Sequence, residues 1–154
     1  MPDFLAHRFF RELLSLQMPV GDFAVGGSGP LFARGWIADP SDLDIVARGS
    51  AWRIAASRGP ILPAPYSSAR RVRLFDGDLD VFDDWFPEIG SVDELIDGAD
   101  VLGGLRFIAL DAVVLTKRMM GRDRDRAHLD VLRAHGAGLP PFGGDQFRDQ
   151  GFGA

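Results

Sequence analysis

The sequence predicts a small mixed β-sheet backed by helices, in the α/β or α+β class. Three observations predict it. Short apolar runs with strand alternation are interleaved with segments of helical period. An Asp-Gly pair sits between two alternating runs, as in a β-hairpin. Two Asp-Leu-Asp runs, at 42–44 and 78–80, lie inside apolar stretches.

In chain order, residues 4–17 read as an amphipathic helix, with Leu5, Phe9, Leu13 and Leu16 near a 3.6-residue period and Asp3 as N-cap. Asp22–Val25 is a short strand stopped by Gly26-Gly27. Ser28 opens a brief helix with Pro30 in its first turn, running to Arg34 and closed by Gly35. Residues 43–47 form an acidic strand, and a helix starts at Ser50 and ends before Gly59-Pro60. The turn-rich stretch 60–69 carries no assignment. Arg71–Phe75 and Asp78–Phe82 flank Asp76-Gly77, the pair favoured by a type I′ turn. Ser91 and Glu94 have capping-box spacing, Leu105–Ile108 reads as a small strand, and helices follow near 110–120 and 124–135. A single domain over 1–135 is expected, followed by a flexible Gly/Pro-rich tail at 136–154.

The chain has 154 residues, 46% hydrophobic and 25% charged, as in a globular protein. Its net charge of −5 disfavours a long nucleic-acid partner, because little counterion release is available. With no cysteine, disulfides, thiolate metal sites and cysteine nucleophiles are excluded. No apolar stretch approaches the roughly 20 residues needed to span a bilayer, and the N-terminus lacks the features of a signal peptide. A cytoplasmic protein without membrane attachment is expected.

The acidic runs carry the chemistry. In a strand, residues i and i+2 share a face, so Asp42 and Asp44 aim both carboxylates one way while Leu43 and Ile45 anchor the strand. Like charges so close resist ionising together unless a cation lies between them. Acidic groups carried by hydrophobic strands make a platform for a divalent metal.

These residues resemble the nucleotidyltransferase superfamily, whose fold is shared by DNA polymerase beta, antibiotic nucleotidyltransferases and minimal nucleotidyltransferases. Val25-Gly26-Gly27-Ser28 is similar to the family's turn after its first strand, Ser41-Asp42-Leu43-Asp44-Ile45 to its Asp-x-Asp, and Leu79-Asp80-Val81 to its third acidic strand. The segment from Asp111 through Lys117 to Asp130 is similar to the helices of abortive-infection-type members. The resemblance implies a metal-dependent enzyme that transfers a nucleoside monophosphate from a nucleoside triphosphate, with ATP preferred, to a hydroxyl of a small molecule or protein, releasing pyrophosphate. It implies a two-metal Mg²⁺ site, with Mn²⁺ able to substitute, on Asp42, Asp44 and Asp80. Asp78 is the rival for the third place; Asp80 is preferred because Leu79 and Val81 flank it. Gly26, Gly27 and Ser28 would bind phosphate oxygens, and Lys117 would add a charge at the β- or γ-phosphate, with Arg124 as an alternative. The rival reading is a nucleotide-binding or partner-binding module with weak or no catalysis, such as one half of a toxin–antitoxin-like pair.

The remaining polar and aromatic residues have plainer readings. Outside that role, Lys117 is a solvated helix lysine, and 122–126 is an exposed helix start with local charge pairs. His7, His128 and His135 have no ligand spacing and read as helix-surface residues, while Trp36 and Trp52 read as core.

Overall fold

The computed structural model of the chain describes residues 3–137, in two compact units that divide after Ala109. Beyond residue 137 the expected tail lies outside the described residues. The architecture is mixed α/β, with one seven-stranded mixed sheet and, among the described residues, six α-helices.

The first unit holds the sheet. Its strands are β1 (Phe23–Gly26), β2 (Leu43–Ala47), β3 (Ile61–Pro63), β4 (Arg70–Leu74), β5 (Leu79–Phe82), β6 (Asp100–Leu102) and β7 (Leu105–Phe107), in the order β3-β4-β5-β2-β1-β7-β6. Strand β2 is central, antiparallel to β1 and parallel to β5. Its alternation does what the sequence demands. Leu43, Ile45 and Ala47 are fully buried and join Leu79 and Val81 of β5 in one core with Phe9, Phe10 and Leu13. At about 25 cal/mol per Å² of apolar surface, such strand residues fix β2 and β5 firmly, and the residues between them must face the other way.

The first expected helix is divided. A 3-10 turn, Asp3–Ala6, is followed by α1, Arg8–Ser15. The cap is His7, not Asp3: His7 is extended (φ −66, ψ 143), and its Nδ1 accepts the Phe9 N–H at 3.1 Å. Helix α2 (Gly29–Ala33) follows Ser28, and α3 (Gly49–Ala56) follows β2. Helix α4 (Val92–Asp97) has its capping box: Ser91 Oγ accepts from Glu94 N at 3.1 Å, and Glu94 Oε1 from Ser91 N at 2.9 Å.

The Asp-Gly hairpin forms, but with a four-residue loop rather than the expected two-residue turn. Strand β4 ends at Leu74 and β5 begins at Leu79; Phe75 (φ 54), Asp76 (φ 55, ψ 32) and Gly77 (φ 94) all take positive φ, and Asp78 N donates to Phe75 O at 3.1 Å. Two edge elements escaped the sequence reading, β3 within the unassigned 60–69 stretch and β6. Each is three residues long, too short for an alternation to register.

At the far end of β2, Arg48 ties three acids together. It reaches Asp22 at 3.3 Å, Asp93 at 2.8 Å and Asp97 at 2.8 Å, which fastens α4 to the β1–β2 pair.

The second unit contains α5 (Leu110–Met120) and α6 (Asp123–Ala134), a helical hairpin turning at Gly121 (φ 62). Among the described residues, no helix is long and apolar enough to cross a membrane.

Candidate functional site

The site is set by strand register. Asp44 of β2 pairs with Asp80 of β5 and, on its other side, with Gly26 of β1. Parallel pairing of β2 with β5 therefore brings two carboxylates from distant sequence side by side. Asp42 stands two residues before Asp44, on the same face. One carboxylate oxygen from each of Asp42, Asp44 and Asp80 lies within 4.8 Å of the others. Two oxygens sharing a cation at about 2.0–2.6 Å each lie at most roughly 4–5 Å apart, so the triad has the span of a shared cation site.

Asp80 is the buried member, 5% exposed, while Asp42 and Asp44 are half-buried. Burial pushes the Asp80 carboxyl above its ordinary value. Arg73 and then Arg71 oppose that shift, and the Asp42 charge adds to it. Asp80 Oδ1 completes no hydrogen bond although Arg73 Nε lies 3.2 Å away. Arg71 Nη1 lies 3.7 Å from Oδ2. The contact is an ion pair without a well-aligned hydrogen bond.

The glycine turn is shaped around the acids. A Cβ at Gly27, where φ is +62, would stand 2.7 Å from Asp44 Oδ2. Glycine is thus required both for the backbone conformation and for the room the carboxylate occupies. Gly26 is hemmed by Ile108 and Trp85: a Cβ there would meet Ile108 Cδ1 at 2.8 Å and Trp85 Cη2 at 3.2 Å. Ser28 is buried, and its hydroxyl donates to the Asp42 carbonyl at 3.3 Å, which ties the turn to the start of β2. Ser28 makes no side-chain cap to α2, a helix of only five residues.

The rivalry between Asp78 and Asp80 has a geometric answer. Asp78 lies outside β5 in helical conformation (φ −61, ψ −35), so strand alternation does not carry it to the face of Asp80. It turns instead to α1. Arg8 Nη2 is 3.3 Å from its Oδ2, and it is a neighbour of Glu12, whose pKa is raised first by burial and then by Asp78.

Comparison with protein-family models, with curated proteins and with solved structures finds no match to this chain.

The site's geometry fits a divalent cation in three respects. The donors are all hard carboxylate oxygens. A buried Oδ1 is left without a hydrogen bond. Gly27, lacking a Cβ, leaves the Asp44 carboxylate the room it occupies beside the other acids.

Lys117 and Arg124 belong to the second unit. Lys117 is not a solvated lysine: it is 4% exposed on α5, with Nζ 2.9 Å from His128 Nδ1 and 3.8 Å from Asp125. Arg124 is exposed on the first turn of α6. The helix start at 122–126 is charge-paired as expected, through Arg122–Asp125 at 2.6 Å and Arg126–Asp123, but Asp125 is buried. Burial alone would raise Asp125; bonds from Arg122, with Lys117 nearby, bring it below the usual carboxylate range. His128 is half-buried rather than on the helix surface. Burial first, then the Lys117 charge, lowers it to about 4, so its neutral ring accepts from the ammonium. His7 departs from expectation too, as a cap rather than a helix-surface residue. Trp36 and Trp52 are half-buried, each beneath an arginine: Arg34 at 5.6 Å and Arg70 at 5.5 Å.

Sequence reasoning missed Arg71, Arg73 and Trp85. For the arginines a signal was present. A two-residue turn at Asp76-Gly77 pairs 75 with 78, and counting outward places 73 opposite 80, as the ladder has it. Trp85 follows β5 on a connecting segment with no period to reveal its packing.

Proposed function

We propose that this chain is a metal-dependent nucleotidyltransferase, which transfers a nucleoside monophosphate from a triphosphate, ATP by preference, to a hydroxyl of a small molecule or protein. The observation that carries the reading is the register that sets Asp80 beside Asp44, two residues from Asp42, against a glycine turn with no room for a side chain. The resemblance to the nucleotidyltransferase superfamily rests on the same residues.

In this reading Asp42, Asp44 and Asp80 hold Mg²⁺, with Mn²⁺ as a substitute. When bound, the ions supply charge neutralisation at the attacking and leaving oxygens of an in-line displacement. The chain's own residues do the positioning. Asp44 and Asp80 are fixed by the core residues that flank them, and Ser28 fixes the backbone from which Asp42 projects. Gly26 and Gly27 let the turn pack against Ile108, Trp85 and the Asp44 carboxylate, with the backbone N–H groups of Gly27 and Ser28 as donors to phosphate oxygens, and Asp80 accepts the proton of the acceptor hydroxyl or orients it. Lys117 and Arg124 are given no contact with the nucleotide in this reading, since Lys117 is held by Asp125 and His128 within its own unit.

The test is calorimetric titration with ATP and Mg²⁺ for the native chain and Asp44→Asn, joined to pyrophosphate release over a panel of hydroxyl acceptors. Tight Mg²⁺-dependent ATP binding that Asp44→Asn abolishes, with pyrophosphate released on at least one acceptor, is expected. Equal binding by both chains, with no pyrophosphate on any acceptor, removes the assignment.

A further inference from the structure

Arg73 stands opposite Asp80 in the β4–β5 ladder, and Arg71, two residues earlier, shares its face. The two guanidiniums differ in freedom: the Arg71 side chain is 20% exposed and that of Arg73 is 48% exposed. The hairpin turn keeps a seat for the freer one. A Cβ at Gly77 would lie 2.7 Å from Arg73 Nη2, so the absence of a side chain there leaves space for the guanidinium beside the acid.

A guanidinium and a divalent ion repel when both approach one carboxylate. Building on the nucleotidyl-transfer reading, we propose that Arg73 is a resident counter-cation of Asp80, which gives way when a divalent ion arrives with its triphosphate and then turns its donors to the phosphate oxygens. A free ion has to compete with Arg73 for Asp80. An ion carried by a triphosphate brings anionic oxygens that offer the displaced guanidinium a new partner. Arginine suits both states, because its planar fork matches carboxylate and phosphate alike. Arg71 is the less exposed of the pair and stays beside Asp80 in both states. The site therefore takes up metal and nucleotide together in preference to metal alone.

The test is Mn²⁺ binding by the full chain, read from the resonance signal of the free ion, with and without a non-hydrolysable triphosphate. Arg73→Gln is expected to bind Mn²⁺ alone roughly fivefold more tightly than the native chain. Its affinity should also rise less when the triphosphate is added. Arg73→Thr, a residue suited to strands, carries the same expectation should the glutamine variant fail to fold. Arg73→Lys retains the charge and stays within about twofold of native for Mn²⁺ alone, but loses part of the triphosphate gain. Arg70→Gln, whose guanidinium pairs with Asp83 at 2.7 Å, leaves both values unchanged. Native-like Mn²⁺ affinity in Arg73→Gln and Arg73→Thr, while the triphosphate still strengthens ion binding to the native chain, overturns the counter-cation role and leaves the transferase reading standing. Absence of Mn²⁺ binding by every chain, with and without triphosphate, overturns the metal reading and this inference with it.

Discussion

Strand β2 has a trio of aspartates at each end, and the two trios are built on opposite principles. After its last residue, Arg48 sits among Asp22, Asp93 and Asp97 and bonds to all three. At its start, Asp42, Asp44 and Asp80 gather on one another, and Arg71 and Arg73 lie beside Asp80. The electrostatics follow. The Arg48 bond to Asp97 holds that carboxyl below its ordinary value, whereas burial pushes Asp80 above its own. One trio shares a single arginine that bonds to all three of its acids and fastens a helix to a sheet. The other concentrates negative charge where a glycine turn leaves room, an arrangement costly for stability alone and useful for holding a cation.

The largest expected effect breaks the second trio. Asp44→Asn should lower pyrophosphate release by about a thousandfold, on the order of 4 kcal/mol of transition-state stabilisation, while its melting temperature in chelator stays level or rises. A parallel fall in melting temperature would make Asp44 a structural residue like Asp97. Next in size is Gly27→Ala, which forces a Cβ against Asp44 at a positive φ. It should cost roughly 1–3 kcal/mol in denaturant unfolding and weaken Mn²⁺ binding in the same variant. Arg48→Met should lower the melting temperature by a few degrees and leave Mn²⁺ affinity unchanged, because its carboxylates belong to the other trio.

The smallest effect is the sign of the response to acid. Asp97 has a folded pKa below 3.8, so its contribution is present above that pH and is lost as the pH falls through the folded value. Asp80 has a folded pKa above 3.8, so in the window just above 3.8 the folded state binds the proton more readily, and acid favours folding there. Melting curves in chelator between pH 3 and 6 should therefore show Arg48→Met flattening the acid loss and Asp80→Asn steepening it. Identical profiles for the two variants would erase the contrast between the ends of β2.

Much of this was readable from sequence, and for physical reasons. The 43–47 strand matches because Leu43, Ile45 and Ala47 are all fully buried on its core face, and Ser91 with Glu94 announced a cap whose bonds form as spaced. The convergence of Asp42, Asp44 and Asp80 was expected from the two Asp-Leu-Asp runs, yet only pairing between β2 and β5 brings them together. The neighbours were harder. His7 as a cap looks in sequence like any histidine on a helix. The burial of Lys117 depends on Asp125 and His128, eight and eleven residues on, which the charge run at 122–126 masks as surface. Asp78 and Asp80 share an Asp-Leu-Asp run, and only the helical backbone at Asp78 separates their directions.

The loop at Asp76-Gly77 has a consequence for how this chain tolerates change. Its length is a ruler: one residue inserted there and drawn into the ladder would shift the whole of β4 by a single step against β5, exchanging its two faces. Val72 and Leu74 would swing outward and the arginines inward, with no alteration to any acid. A lineage carrying these carboxylates can therefore accept substitutions across much of this hairpin far more readily than a change in its length.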